Sequence, residues 1–249
     1  MTETLPLTGE RTAPGIWHEN YWFARHEAAY RWIVDSVGPD GRVLDAGCGE
    51  GYGAELLRTA GAMQVFGLDY EGTTLRHAAK AYPQVNLVQG NLVQTGFADG
   101  SFDLVTSLQT IEHLWEQPRF VAECARILAP RGTLVLTTPN RLTFPSGNWY
   151  HTRELTAEEF VELLEPEPLE ITHVLGLHHG ERLRAWEARH GSCVDRQLAT
   201  DHGAWDEELV ALVTSTTYDD FELRGDAMDE SLDLVVVARA TPRDGRSVR

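Results

Sequence analysis

Residues Val43–Gly53 read V-L-D-A-G-C-G-E-G-Y-G. An apolar pair running into a glycine-rich turn marks a buried strand handing over to a helix, and glycines there permit positive φ and close approach to a ligand. The dinucleotide fingerprint GxGxxG fails from Gly47, because Tyr52 stands where the third glycine belongs. It fails again from Gly49, where Ala54 takes that place. Asp45 precedes the first glycine and Glu50 lies inside the turn. A pyrophosphate site at a helix N-terminus is built for anions, and two carboxylates oppose it. They favour a ligand carrying an ammonium and a sulfonium. Asp69 closes the next strand, where a carboxylate can accept hydrogen bonds from a ribose diol. A ribosyl ligand with a cationic tail is S-adenosylmethionine.

Working outward, Glu19–Val37 reads as a helix ended by Gly38-Pro39. Strands are expected at Val43–Ala46, Gln64–Leu68, Val85–Gln89, Phe102–Ser107 and Thr133–Thr138. Helices are expected at Ala54–Thr59, Gly72–Tyr82 and Pro118–Leu128, with Pro130-Arg131-Gly132 turning the last of them into its strand. This alternation predicts parallel βαβ units in a doubly wound α/β sheet, with ligands beyond the carboxyl ends of the strands. After Thr138 the pattern loosens. Glu154–Glu170 reads as an amphipathic helix with an acidic face, and Thr172–Leu175 and Leu232–Ala238 read as the closing strands. The stretch 178–230 is expected to form a cap of short helices before the last strand. One domain over 1–240 follows: a helical segment at about 16–38, a core at about 40–176 and 231–240, the cap, and a frayed tail at 241–249.

The chain of 249 residues carries a formal net charge of −17. Nucleic-acid affinity rests on phosphate neutralisation by Lys and Arg, so a nucleic-acid partner and an anionic membrane surface are both disfavoured. Cys48, Cys124 and Cys193 are too widely and irregularly spaced for a disulfide framework or a CxxC metal site. The N-terminus lacks the basic start and apolar stretch of a signal peptide, and no apolar run approaches a membrane span. A soluble, cytoplasmic protein without membrane insertion is expected.

The segments VLDAGCGEGYG, FGLDY, GNL at Gly90–Leu92, FDLVTSLQTIEHL and RFVAECARILAPRGTLVLTTPN together resemble the class I S-adenosylmethionine-dependent methyltransferases over about residues 40–140. The resemblance implies a Rossmann-like class I sheet and S-adenosyl-L-homocysteine as product. It also implies that Asp45, Gly47 and Gly49 line the methionine part of the cofactor and Asp69 the ribose. Tyr70, Asn91 and Leu92 are then expected around adenine, with Gln109 at the cofactor's inner edge. Many relatives carry Asp where Asn91 stands, and the Asn carbonyl can still accept from the adenine amino group. Further segments widen the likeness: LTGERT (Leu7–Thr12), ENYWFARH (Glu19–His26), HTREL (His151–Leu155), LHHGERL (Leu177–Leu183), ARHG (Ala188–Gly191) and ESLDL (Glu230–Leu234). These are similar to a group of actinobacterial methyltransferases associated with synthesis of methylglucose lipopolysaccharide, a polymethylated glucan. In that group the N-terminal helix lies over the cofactor, which implies contacts from Tyr21, Arg25 and His26 to the methionine carboxylate.

Methyl transfer to an alcohol needs a general base within hydrogen-bond reach, most often histidine. His113, in Q-T-I-E-H-L just past the fourth strand, is the leading candidate, with Glu112 beside it able to orient the ring. His151, after the fifth strand, and His178, with His179 at the start of the expected cap, are the others. Glu112-His113 also resembles the ExxEH metal-binding motif of ubiquinone-type O-methyltransferases, with Gln109 replacing the first glutamate. Two ligands alone are too few for magnesium, so substrate oxygens and water would have to complete such a site. Trp115, Trp149 and Tyr150 fall near the expected pocket mouth, where aromatic rings could stack on sugar faces. The resemblance to the methylglucose lipopolysaccharide group thus implies O-methylation of a sugar hydroxyl in a glucan or glycoside. A small natural product or quinone precursor as acceptor, and a binding module that holds adenosyl ligands without turnover, stay open as alternatives.

Overall fold

The computed structural model describes residues 12–144 and 148–242. The tail expected at 241–249 lies almost wholly outside the described residues, as does the LTGERT segment up to its Thr12. The sheet grows outward from the quoted strand, β1 (Arg42–Ala46). On one side it pairs in parallel with β2 (Gln64–Asp69), which pairs with β3 (Asn86–Gln89). On the other it pairs with β4 (Phe102–Leu108), and β4 pairs in parallel with β5 (Leu128–Pro139). Between these strands run α2 (Tyr52–Thr59), α3 (Gly72–Ala81) and α4 (Gln117–Ile127), preceded by α1 (Asn20–Trp32). The remaining elements are α5 (Ala157–Leu164), β6 (Leu169–His179), α6 (Glu181–His190), α7 (Cys193–Ala199), α8 (Glu207–Ser215), β7 (Phe221–Arg224) and β8 (Asp233–Ala240). The eight strands lie in the order β3-β2-β1-β4-β5-β8-β6-β7, with the last three joined antiparallel.

Strands covered on both faces read as continuous apolar runs, and β4, β5 and β8 are buried along most of their length for this reason. One face packs against α4 and α5 through Phe120, Val121, Ile127 and Phe160, and the other against α1 and α2 through Tyr30, Ile33 and Leu57. A third apolar cluster joins α1 to α6, α7 and α8 through Tyr21, Leu183, Trp186 and Leu212. Among the described residues no helix is long and apolar enough to cross a membrane.

Several expectations need correction. The first helix widens into a π turn at Ile33–Val37 before Gly38, at φ +77°, ends it. The Pro130-Arg131-Gly132 turn lies inside β5, not ahead of it: register slips between Phe102↔Leu128 and Leu104↔Thr133, and Arg131 takes φ +67°. The acidic helix covers only Ala157–Leu164, started by a Thr156/Glu159 capping box. Pro166 and Pro168, which lack amide hydrogens, follow directly and stop it. β6 runs on to His179, so His178 and His179 belong to the sheet and do not begin a helical cap. Within 178–230, α6, α7 and α8 are joined by a strand, β7, whose alternating F-E-L-R pairs with Gly176–His179.

Candidate active site

The carboxyl ends of β1, β2 and β4 and the body of α1 surround a cavity of about 730 Å³. Its floor is the glycine turn. Gly47 sits at φ +85°, and a Cβ there would stand 2.4 Å from the Thr110 hydroxyl, so glycine is required on two counts. The Gly47 and Cys48 amides both donate to the Leu68 carbonyl, at 2.8 and 3.1 Å. Asp69 staples the same turn: its Oδ2 accepts from the Gly49 amide at 2.9 Å and its Oδ1 from the Glu71 amide at 2.9 Å. Tyr70, exposed, and Leu92, buried, complete this side of the wall. Asn91 is exposed and its carbonyl accepts from the Val93 amide at 3.0 Å; it is not among the wall residues.

Asp45 lies beneath the floor, fully buried. Tyr30 donates to both of its oxygens at 3.0 and 3.2 Å, and the Thr106 hydroxyl to Oδ1 at 3.0 Å. Burial pushes its carboxyl up to about 7, against the lowering effect of those donors. Gln109, at φ +49°, takes the left-handed conformation where β4 ends, and its amide donates to Thr137.

α1 supplies the roof. Arg25 and His26 face the cavity. The Arg25 guanidinium makes a two-pronged pair with Asp233, at 2.7 and 2.5 Å, and also donates to the Leu232 carbonyl at 2.8 Å. His26 bonds through Nδ1 to the Tyr52 hydroxyl, and burial lowers it to about 4, so it is neutral at pH 7. Tyr21 points the other way: its hydroxyl meets His179 Nε2 at 2.6 Å, and His179 Nδ1 meets Glu187 at 3.0 Å.

The remaining wall brings together Glu112, His113 and His151, whose nearest nitrogen and oxygen atoms all lie within 4.8 Å of one another. The loop at 148–153 is tied to the one after β4: the Thr152 amide donates to the Glu112 carbonyl at 2.7 Å and the Thr152 hydroxyl to that of Leu114 at 2.8 Å. His113 Nδ1 lies 3.0 Å from the Tyr150 carbonyl. A carbonyl only accepts, so Nδ1 carries the hydrogen and neutral His113 keeps its lone pair on Nε2. By the same reasoning His151 donates from Nδ1 to Glu154 at 2.8 Å, and its Nε2 accepts from Asn148 at 2.9 Å. Glu112 is buried, accepts from the Thr138 hydroxyl at 3.2 Å, and is raised by desolvation to about 8. His178 is absent from this group. It is buried in β6 near Arg224, and desolvation lowers it.

Asp233, Tyr52, Thr110 and Phe144 also line the cavity and were not singled out from the sequence. Asp233 lies 208 residues from Arg25, so nothing local marks the pair. A mostly parallel sheet with a glycine turn and a strand-end carboxylate at its switch point defines an α/β protein with a nucleotide-type ligand site beyond the carboxyl ends of its strands. Residues 44–136 match the family described as Methyltransferase domain. A Mycolicibacterium smegmatis protein named "Probable S-adenosylmethionine-dependent methyltransferase" is 46% identical, with 96% of each chain covered. The ubiquinone biosynthesis O-methyltransferase of Serratia proteamaculans is 29% identical over 56% of this chain and 66% of its own. A solved structure of an Archaeoglobus fulgidus SAM-dependent methyltransferase has 17% identity and a TM-score of 0.59, covering 90% of this chain and 98% of that one; it shares the fold. The chain belongs to the S-adenosylmethionine-dependent methyltransferases. It is an enzyme that uses S-adenosyl-L-methionine as methyl donor and releases S-adenosyl-L-homocysteine.

Proposed function

We propose that the enzyme methylates a hydroxyl oxygen of a sugar, in a glucan or glycoside of the methylglucose lipopolysaccharide type, with His113 as general base. The observation that carries this reading is the fixed tautomer of His113, which leaves Nε2 able to accept a proton beside the cavity. As the acceptor oxygen attacks the sulfonium methyl, its proton passes to Nε2, the methyl–sulfur bond breaks, and S-adenosyl-L-homocysteine leaves. His151 and Glu112 position His113 and the acceptor. His178, buried in β6 outside the cavity wall, has no part in this scheme.

For the cofactor, Asp69 takes the ribose diol through the free lone pairs of its two oxygens, and Gly47 and Gly49 let the methionine part approach the backbone. Tyr70 and Leu92 flank the adenine, with Asn91 at its outer rim, and Gln109 lies at the inner edge. Arg25 and His26 cover the methionine carboxylate, Tyr21 braces that helix from behind, and Asp45 supports the turn from below. Adenosyl and acceptor groups compete with water for one enclosed space, and holding them in line supplies much of the acceleration.

A second reading rests on the convergence of Glu112, His113 and His151. Two imidazoles and a carboxylate suit a divalent transition ion better than magnesium, which takes oxygen ligands and would need substrate oxygens and water besides Glu112; positive charge would draw the raised Glu112 carboxyl into its ionised form. Such an ion would lower the pKa of an acceptor hydroxyl. The test is transfer of labelled methyl from S-adenosyl-L-methionine to glucan oligosaccharides, simple glycosides and small phenols, with and without a chelator. Label on a sugar, lost in His113→Ala, is the expected result. Label on phenols alone would replace the sugar by a quinone-like or natural-product acceptor, and loss on chelation would favour the metal reading.

A further inference from the structure

The segments L-H-H-G-E-R-L (Leu177–Leu183) and A-R-H-G (Ala188–Gly191) contribute nothing to the cavity wall. They frame a second group of polar side chains, on the side of α1 to which Tyr21 points. His179 at the end of β6, Glu187 in α6 and Cys193 at the start of α7 each bring a donor atom to within 4.8 Å of the others. The turn between the helices makes this possible. Gly191, at φ +82°, ends α6, and the Ser192 side chain caps α7. The chain doubles back, so that the Cys193 amide donates to Glu187 Oε1 at 2.9 Å. His179 Nδ1 lies 3.0 Å from Glu187 Oε2, and Cys193 Sγ lies 3.9 Å from His179 Nε2. The thiol also bonds to the Glu187 carboxylate. Cys193 and His179 are buried, while Glu187 is partly exposed and opens the group to solvent.

The chemistry of these donors selects an ion. Sulfur, nitrogen and oxygen together suit zinc, whereas magnesium and calcium take oxygen ligands. The Glu112, His113 and His151 group contains no sulfur. Charge also balances. A thiolate and a carboxylate bring two negative charges against the two positive charges of the ion, so a neutral unit is buried. Three protein ligands leave the fourth tetrahedral position to water. Zinc-bound imidazoles hand their other N–H to a fixed acceptor, and the Tyr21 oxygen stands 2.6 Å from His179 Nε2.

We propose that His179, Glu187 and Cys193 form a structural zinc site, separate from the cofactor cavity, that fastens β6, α6 and α7 together and, through Tyr21, to α1. The ion takes the place of the hydrogen that Nδ1 otherwise donates to Glu187. The ring hydrogen then resides on Nε2 and is donated to Tyr21, and the Cys193 thiol releases its proton to solvent. Affinity therefore rises with pH.

The experiment uses the full chain, stripped with a chelator and dialysed, then titrated with cobalt(II) or zinc(II) alone. Cobalt should bind with the near-ultraviolet charge-transfer absorption of a thiolate ligand, zinc should displace it, and zinc should raise the thermal midpoint. Cys193→Ser should abolish that absorption. Tyr21→Phe keeps all three ligands, so it should retain the absorption and weaken zinc by about 10–100-fold, the usual cost of a lost outer contact. Circular dichroism checks that each variant is folded. Cobalt uptake without thiolate absorption in the wild type would overturn the proposal and place the ion elsewhere, the Glu112 group included. The absence of any cobalt or zinc uptake would overturn it too. Both results need no variant, so they stand even if a substitution prevents folding. Thiolate absorption that persists in Cys193→Ser would assign the ion to another cysteine.

Discussion

Asp233→Ala offers the sharpest test of how the roof of the site is held. Arg25 and Asp233 are 7% and 3% exposed, and their pairing is two-pronged, with the Leu232 carbonyl as a third partner. Removing one member of a buried pair strands the other charge, which typically costs about 3–5 kcal/mol. The Leu232 bond compensates only in part, because a carbonyl carries no net charge. Against a total stability of about 5–15 kcal/mol, that loss moves the unfolding equilibrium by roughly two to four powers of ten. Replacing both charges should hurt less: Arg25→Met/Asp233→Ala leaves no isolated ion, so the double variant should be more stable than Asp233→Ala alone and should lose less than Asp233→Ala and Arg25→Met do together. Urea unfolding followed by far-UV circular dichroism, with m compared across variants, measures all three differences. A loss under about 1 kcal/mol in Asp233→Ala, or a double variant that loses the sum of the two single effects, would refute the argument.

His113→Ala should lower turnover by about 10²–10⁴-fold. Its affinity for S-adenosyl-L-homocysteine, measured by titration calorimetry, should be unchanged. In the same assay Gly47→Ala should weaken cofactor binding much more than Gly49→Ala. Both sites have positive φ, but only at Gly47 does the added methyl strike Thr110, while around Gly49 the space is open; equal losses would contradict the geometry. Because the Asp45 carboxyl is raised from 3.8 to about 7 in the folded enzyme, the native state holds a proton that the unfolded chain has released. Stability from this group is therefore present below pH 4 and is lost as pH rises to about 7, at no more than about 1.4 kcal/mol per pH unit. Asp45→Asn should flatten that slope in urea titrations run across the same range.

What could be read in the sequence was what is local. The turn at Gly47–Gly51, the acid at the end of β2 and the alternation up to β5 each depend on neighbours a few residues away, and each is where the pattern put it. The support beneath and above the turn was invisible because its partners are remote: Tyr30 and Thr106 close on Asp45, and Asp233 closes on Arg25. β7 escaped notice because four alternating residues between short helices carry little periodic signal, and it exists by pairing with β6. His178 and His179 read as the start of a cap because the stretch they open, up to Glu230, is too long for a hairpin turn, whereas the last four residues of β6 are buried and His179 is held there by Tyr21. His113 and His151 were each legible as candidates, but that they meet, with rings 4.9 Å apart, is a product of the paired loops.

The position of β8 has a consequence for biosynthesis. The last strand to be made lies between β5 and β6, so neither of those strands can be joined to the other until residues 233–240 have emerged from the ribosome. Until then β5 presents an unpaired edge, the kind of template on which chains join one another, and the β6–β7 hairpin has no sheet to extend. Arg25, synthesised early, likewise waits for Asp233. Translation cut short before the final strand therefore yields a chain with its glycine turn complete, its roof unlatched and an adhesive edge exposed.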